Sequence, residues 1–290
     1  MQLGRFQALP IETGRFALDG GAMFGVVPRT LWERKLPPDE RNRVDLALRA
    51  LLLRELGEDG APTGRNLLVD TGVGQKWDPK LADIYKVDHH ELRVETSLAA
   101  EGLGVGDITD VVLTHLHFDH AGGATRRDAD RNLVPTFPNA RYWVQAENLA
   151  WASSPTQKDR ASYLPENWEP LLAAGVLETI DGPGELLPGL ELRISNGHTR
   201  AMQLPRVHGP EGSLIYCADL VPTAAHVPVP WVMAYDNEPL VSMQEKQAIL
   251  EQAVAGDWLL FFEHDPEGPA ARVVAGPKGF AAGERSDLRP

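Results

Sequence analysis

Between Thr114 and His120 the chain reads T-H-L-H-F-D-H, so four potential metal ligands, His115, His117, Asp119 and His120, fall within six residues. The run follows directly on residues 110–114 (D-V-V-L-T), an apolar stretch that reads as a buried strand. On an extended segment, residues two apart point the same way, and a turn after them folds Asp119 and His120 back towards the first two imidazoles. A continuous helix cannot do this, because residues two apart diverge by about 200° around its axis. The run therefore demands a strand that ends at a corner and passes into a helix. With nine histidines in 290 residues, such a pattern arises by chance in about six of ten thousand chains of this composition. It reads as a metal site.

The rest of the chain supplies the layers around that corner. Residues 65–70, 141–145, 190–195, 213–217 and 258–262 read as buried strands. Residues 39–56 carry Val44, Leu48, Leu51 and Leu52 at helical spacing with arginines between them, which predicts an amphipathic helix. Residues 244–255 predict a second helix, and 147–175 a mainly helical region broken at Pro155 and Pro165. Residues 222–239 are Pro-rich and irregular, and the polar, Gly-rich residues 276–290 are expected to form a flexible tail. Strands alternating with helices, without an interdomain linker, predict one α/β domain over residues 1–290.

Charge and cysteine content narrow the partners. The net charge of −13, from 28 basic and 41 acidic side chains, repels a phosphate backbone, so no nucleic-acid partner is expected. Cys217 stands alone and reads as buried packing, so no disulfide calls for an oxidising compartment. No apolar run approaches the length of a membrane span or a signal peptide, and a cytoplasmic protein without membrane association is expected.

Five short motifs occur in the order found in the metallo-β-lactamase superfamily, and the chain resembles its dinuclear hydrolase branch, which includes acyl-homoserine lactonases and organophosphate hydrolases. They are Leu68-Val69-Asp70-Thr71-Gly72, the His115–His120 run, Gly197-His198-Thr199, Ala218-Asp219-Leu220 and Phe262-Glu263-His264-Asp265. The resemblance implies a four-layered αβ/βα sandwich of two mixed β-sheets flanked by helices. It implies two divalent metal ions per chain, one held by His115, His117 and His198, the other by Asp119, His120 and His264, with Asp219 bridging. Asp70 is implied to orient a ligand histidine. Imidazole and carboxylate without thiolate suit Zn²⁺ and also tolerate Fe, Mn or Co.

The function this implies is a metal-dependent hydrolase in which a metal-bridging hydroxide cleaves a small ester or lactone, with Asp119 carrying a proton to the leaving group. A glyoxalase-type thioester hydrolase, a phosphotriester hydrolase and a non-catalytic sensor that keeps the metal site are the alternatives. Several lactonases carry a substrate-contacting tyrosine three residues after the bridging aspartate, where this chain has Pro222. Tyr235 is the expected substitute donor, and Tyr163 is another candidate. His226, seven residues after Asp219, is a candidate substrate or proton contact. Met23 and Phe24, in an apolar Gly-rich segment, are candidate pocket walls, and their position makes a homodimer a further expectation. His89 and His90 read as a solvated face and His208 as a hairpin residue.

Overall fold

The computed structural model describes residues 1–289. The chain first lays down β1 (Gln2–Leu3), β2 (Phe6–Asp19), β3 (Arg43–Leu56), β4 (Pro62–Val69) and β5 (Asp110–Val112). A small separate hairpin, β6 (Thr125–Arg127) and β7 (Leu133–Pro135), follows. The chain then returns to the first sheet with β8 (Arg141–Gln145) and β9 (Leu177–Ile180). The second sheet takes β10 (Gly184–Leu187), β11 (Leu190–Ser195), β12 (Met202–Gly209) and β13 (Gly212–Tyr216). It is completed by β14 (Leu259–Phe261), β15 (Ala270–Gly276) and β16 (Gly279–Ser286). Each sheet has seven strands, ordered β1-β2-β3-β4-β5-β8-β9 and β10 through β16 in succession.

Both sheets are mixed. In the first, β1 to β4 run antiparallel and β4, β5, β8 and β9 parallel. In the second, only β13 and β14 pair in parallel, joined by a crossover through helix Pro239–Ala255. The core lies between the sheets, where Leu51, Leu53, Leu67 and Val112 meet Leu192, Leu204, Ile215 and Phe261. The outer face of the first sheet packs Leu52, Leu68 and Val111 against Leu98 of helix Val94–Ala100 and against Leu171. This is the expected sandwich. Among the described residues, no helix is long and apolar enough to cross a membrane.

The sequence misleads in four places. Most of residues 39–56 are not a helix but β3, a 14-residue strand at the centre of the first sheet. Leu51 and Leu53 face the core between the sheets while Ala50 and Leu52 face the outer layer. With both faces buried, the two-residue alternation disappears and the leucines fall by accident at helical spacing. Of the expected tail 276–290, Gly279–Ser286 instead form β16, an edge strand paired with β15, and Leu288 is buried, while residue 290 lies outside the described residues. Residues 147–175 hold only two short α-helices, Ala146–Ser153 and Glu169–Ala173, with 3₁₀ turns between them. His89 is half-buried rather than solvated, with its ring nitrogens 3.1 Å from Thr13 O and 2.8 Å from Gly74 O.

Candidate metal centre

Each of the five motifs begins where a strand ends, and all five strands point the same way within their sheets. Asp70 follows β4, His115–His120 follow β5, His198 follows β11, and Asp219 and His264 follow β13 and β14. The carboxyl ends of parallel strands are where open α/β sheets gather ligand-binding side chains. Residues far apart in sequence thereby converge at one end of the sandwich.

Local devices fix each one. His117 stands at the start of the single-turn helix Phe118–Ala121, the strand-to-helix corner that the sequence demanded. Tyr163 bridges to the His117 backbone and lays its ring against the imidazole, with centroids 4.6 Å apart. The buried Asn148 accepts from Leu116 N at 3.0 Å and donates to Arg200 O at 2.7 Å, tying two ligand loops together. Glu245, on helix Pro239–Ala255, accepts from Asn196 N at 2.9 Å and Gly197 N at 3.1 Å. Gly197 is required by contact: a Cβ there would lie 2.2 Å from Ser242 N. Ala218 takes a left-handed φ of 42° immediately before Asp219, a strained conformation for a residue with a side chain.

Of the three groups of donor atoms found among the described residues, one joins Asp70, His120 and Glu263, and the other two share Asp219. His115, His117, His198 and Asp219 form one, Asp119, His120, Asp219 and His264 the other, each with ligand atoms within 4.8 Å of one another. His115 Nε2 and His198 Nε2 lie 3.0 and 3.1 Å from His117 Nδ1. Asp219 is common to both groups. Its Oδ2 is 3.1 Å from His198 Nε2 and 3.5 Å from His120 Nε2, and its Oδ1 is 3.4 Å from His264 Nε2. Asp119 Oδ2 stands 3.7 Å from His264 Nε2 and 3.8 Å from His120 Nε2. Among the described residues, His120 Nε2, His264 Nε2 and Asp219 Oδ1 are buried without any hydrogen-bond partner. Unpaired buried polar atoms are costly. Divalent cations would satisfy this set.

A second ring of residues holds the histidines in orientation. Asp70 Oδ2 is 3.0 Å from His120 Nδ1, and its carboxylate is fixed by Thr114 N and Thr114 Oγ1, each at 2.7 Å. Two members were not singled out from the sequence. Glu263 Oε2 lies 2.8 Å from His120 Nδ1 as a charge contact without a hydrogen bond, and Asp236 Oδ1 lies 2.9 Å from His198 Nδ1. Glu263 sits inside the last motif and was open to detection there. Asp236 comes from the irregular segment, where no periodicity or spacing marks it. His264 Nδ1 pairs with Ala47 O of β3 at 2.9 Å.

Without metal, the buried charges redistribute. Burial and the neighbouring histidines drive His115 and His117 well below the usual imidazole range. Burial opposes ionised Asp219, but His198 and His120 outweigh it and hold its carboxyl far below the ordinary carboxylate value. Burial also lowers His198, yet Asp219 and Asp236 overcome it and hold the imidazole up at about 9. Metal ligation requires neutral imidazole. Metal loading at pH 8 should therefore release a proton from His198, and apparent affinity should climb about tenfold per pH unit for that proton until about pH 9. Calorimetry in buffers of differing ionisation enthalpy measures the release directly. Asp236→Ala, which removes the orienting carboxylate, should weaken metal binding about 10–100-fold, read by competition with a chromogenic chelator.

The centre forms one side of a cavity of about 210 Å³ whose other walls include Met23, Phe118, Met233, Tyr85 and Tyr235. Met23 and Tyr235, two of the candidates from the sequence, line it. Phe24 is not a wall: it is fully buried between Trp32 and His226, with ring centroids 5.3 and 4.6 Å away. His226 does not line the cavity either. It is fully buried with Nδ1 2.8 Å from Thr223 Oγ1 and Nε2 2.9 Å from Met23 O, so both nitrogens are engaged in holding the segment that carries Met23. Tyr163 spends its hydroxyl on Thr199 Oγ1 at 2.5 Å. Cys217 is buried packing, its Sγ 3.6 Å from Ile215 O.

Comparison with known proteins agrees with this geometry. Residues 60–264 match the family model of the metallo-beta-lactamase superfamily. A "Probable metallo-hydrolase" of Mycobacterium bovis is 26% identical over 289 residues, covering 85% of each chain. Among solved structures, a "probable metal-dependent hydrolase" from Staphylococcus aureus superposes with a TM-score of 0.84 at 28% identity over 94% of each chain. A dizinc quorum-quenching lactonase in complex with the product N-hexanoyl-L-homoserine superposes with a TM-score of 0.79 at 19% identity, covering 99% of this chain and 96% of its own.

Proposed function

This chain belongs to the metallo-beta-lactamase superfamily, and from that premise we propose that it is a dinuclear metal-dependent hydrolase that opens a small lactone or cleaves a small ester. The observation that carries the reading is the pair of four-residue donor groups sharing Asp219 at one side of a cavity with largely apolar walls. His115, His117 and His198 would hold one ion, Asp119, His120 and His264 the other, with Asp219 common to both. Zn²⁺ fits the imidazole and carboxylate donors, and Fe, Mn or Co are tolerated by the same set. Bound there, divalent ions would supply activation of water at neutral pH and polarisation of the scissile carbonyl.

The chain's own side chains do the rest. Asp119 turns Oδ2 towards His120 and His264 and also lines the cavity, which supports a role for its carboxylate in carrying a proton to the leaving oxygen. Burial pushes the phenol of Tyr235 up, with Tyr85 and nearby carboxylates adding to it, so it stays protonated as a hydrogen-bond donor at working pH. Met23, Phe118 and Met233 offer an apolar surface to an acyl or aryl group and exclude water from it. A cavity of about 210 Å³ suits a small substrate. The lactonase of the same fold, with its product in place, supports the lactone reading.

A panel of lactones, aryl esters, thioesters, phosphotriesters and β-lactams, assayed on metal-loaded protein, tests the assignment. Lactones or aryl esters should give the highest kcat/KM. A thioester or phosphotriester preferred over every lactone and ester would replace the substrate class, and no turnover of any of them would leave a ligand-binding sensor.

A further inference from the structure

A second cavity, of about 330 Å³, shares no wall residue with the first. Its wall runs from Thr71 and Lys76 past Gly123 to Arg126, Arg127 and Thr136. In a chain of net charge −13, this wall gathers three cationic side chains against one carboxylate, Glu95. Glu95 is already approached by Gln75 Nε2 at 3.3 Å. Arg127 leans on Arg131 O at 3.2 Å and approaches Glu166 at 3.6 Å. Among the described residues, Arg126 and Lys76 form no ion pair.

Lys76 is the unusual member. Its Nζ donates to Gly122 O and, at 3.0 Å, to Thr125 O. Those are neutral acceptors, and an ammonium has three protons to give. The group is largely withdrawn from water, and burial lowers it to about 8. Thr136 adds an independent sign: it is 3% exposed, and among the described residues its Oγ1 has no hydrogen-bond partner. A part-buried ammonium without an ion-pair partner and a buried hydroxyl without a hydrogen bond are both costly, and an anion between them would relieve both.

We propose that this cavity is a binding site for a small oxyanion, a phosphate or carboxylate group, held by Lys76, Arg126 and Thr136. Lys76 and Arg126 supply charge-assisted hydrogen bonds, and the Thr136 hydroxyl donates a third. The site borders the centre without entering it. Thr71 N and Oγ1 each donate to His120 O at 2.8 Å, and Lys76 holds the carbonyl of Gly122, so an occupant braces the turn that presents His120.

Calorimetric titration of metal-loaded protein tests this with two probes, inorganic phosphate and malonate. Because phosphate also coordinates metals, the titration is repeated in His117→Ala, where binding at the second cavity should persist. Lys76→Met should weaken that binding about tenfold or more. The paired variant Arg126→Ala with Thr136→Val changes an exposed side chain and one methyl-for-hydroxyl, and should weaken it comparably should Lys76→Met fail to fold. Phosphate binding with this pattern assigns the site to phosphoryl ligands; the same pattern with malonate alone assigns it to carboxylates. Binding that disappears in His117→Ala and survives in the cavity variants would place the anion on the metals only and overturn the proposal, as would no heat from either probe.

Discussion

Asp219→Ala is expected to lower turnover by more than about a thousandfold and to reduce bound metal below two equivalents per chain. Asp219 is the one residue in both donor groups, with an oxygen within 3.5 Å of His120, His198 and His264. Metal activation contributes several kcal/mol of transition-state stabilisation, and each 1.36 kcal/mol is about tenfold in rate. Its loss therefore reaches three or more powers of ten. The substitution also removes the carboxylate that holds His198 up at about 9. In the metal-free variant His198 should then titrate lower, visible by NMR of its ring protons. Elemental analysis beside the rate separates the outcomes. Two equivalents retained with activity near wild type would show that Asp219 is not a shared ligand.

The centre was legible in the sequence because its ligands sit in short loops directly after strands, where the chain order of the motifs survives folding. His115, His117, His198 and His264 come from such loops, Asp219 from a 3₁₀ turn and Asp119 and His120 from the single-turn helix Phe118–Ala121, and the structure brings all seven together. Asp236 escaped because its partnership with His198 depends on a loop crossing 38 residues away, held by Lys158 Nζ on Tyr235 O at 2.6 Å and Asp236 O at 2.9 Å. His226 illustrates the opposite error. Proximity to Asp219 in sequence suggested a reacting group, yet the ring is spent on Thr223 and Met23 O. Among the elements, β3 failed for a general reason: a strand buried on both faces carries no alternation, and only length and neighbours distinguish it from a helix. The polar tail was misread because β16 is an edge strand, with one side paired to β15 and its side chains half exposed. Arg285 on that strand reaches Asp265 at 3.1 Å, so a segment expected to fray steadies the loop after His264.

Tyr235→Phe should lower kcat about a hundredfold to a thousandfold while leaving metal content unchanged, the loss typical of one donor aimed at a developing oxyanion. Three observations support that proposed role. It lines the same cavity as Asp119, Asp219 and His264. Burial raises its phenol well above the ordinary value, so the proton it offers is kept across the pH range in which ester hydrolysis is measured. Its backbone is anchored by Lys158, and the next residue, Asp236, pairs with His198, so the main chain at Tyr235 is fixed relative to the centre. Pro222 occupies the position from which many lactonases reach the carbonyl, and its own carbonyl accepts from His264 N at 3.1 Å, a backbone role with no proton to give. The split between kcat and KM decides what Tyr235 does. A donor that acts only as charge develops lowers kcat and kcat/KM together, whereas a wall residue raises KM and spares kcat. Tyr85→Phe is the internal control, because this second phenol lines the same cavity and is also raised by burial. A rate unchanged in Tyr235→Phe but reduced in Tyr85→Phe would transfer the donor role to Tyr85. A rate unchanged in the double variant would leave carbonyl polarisation to the metals alone.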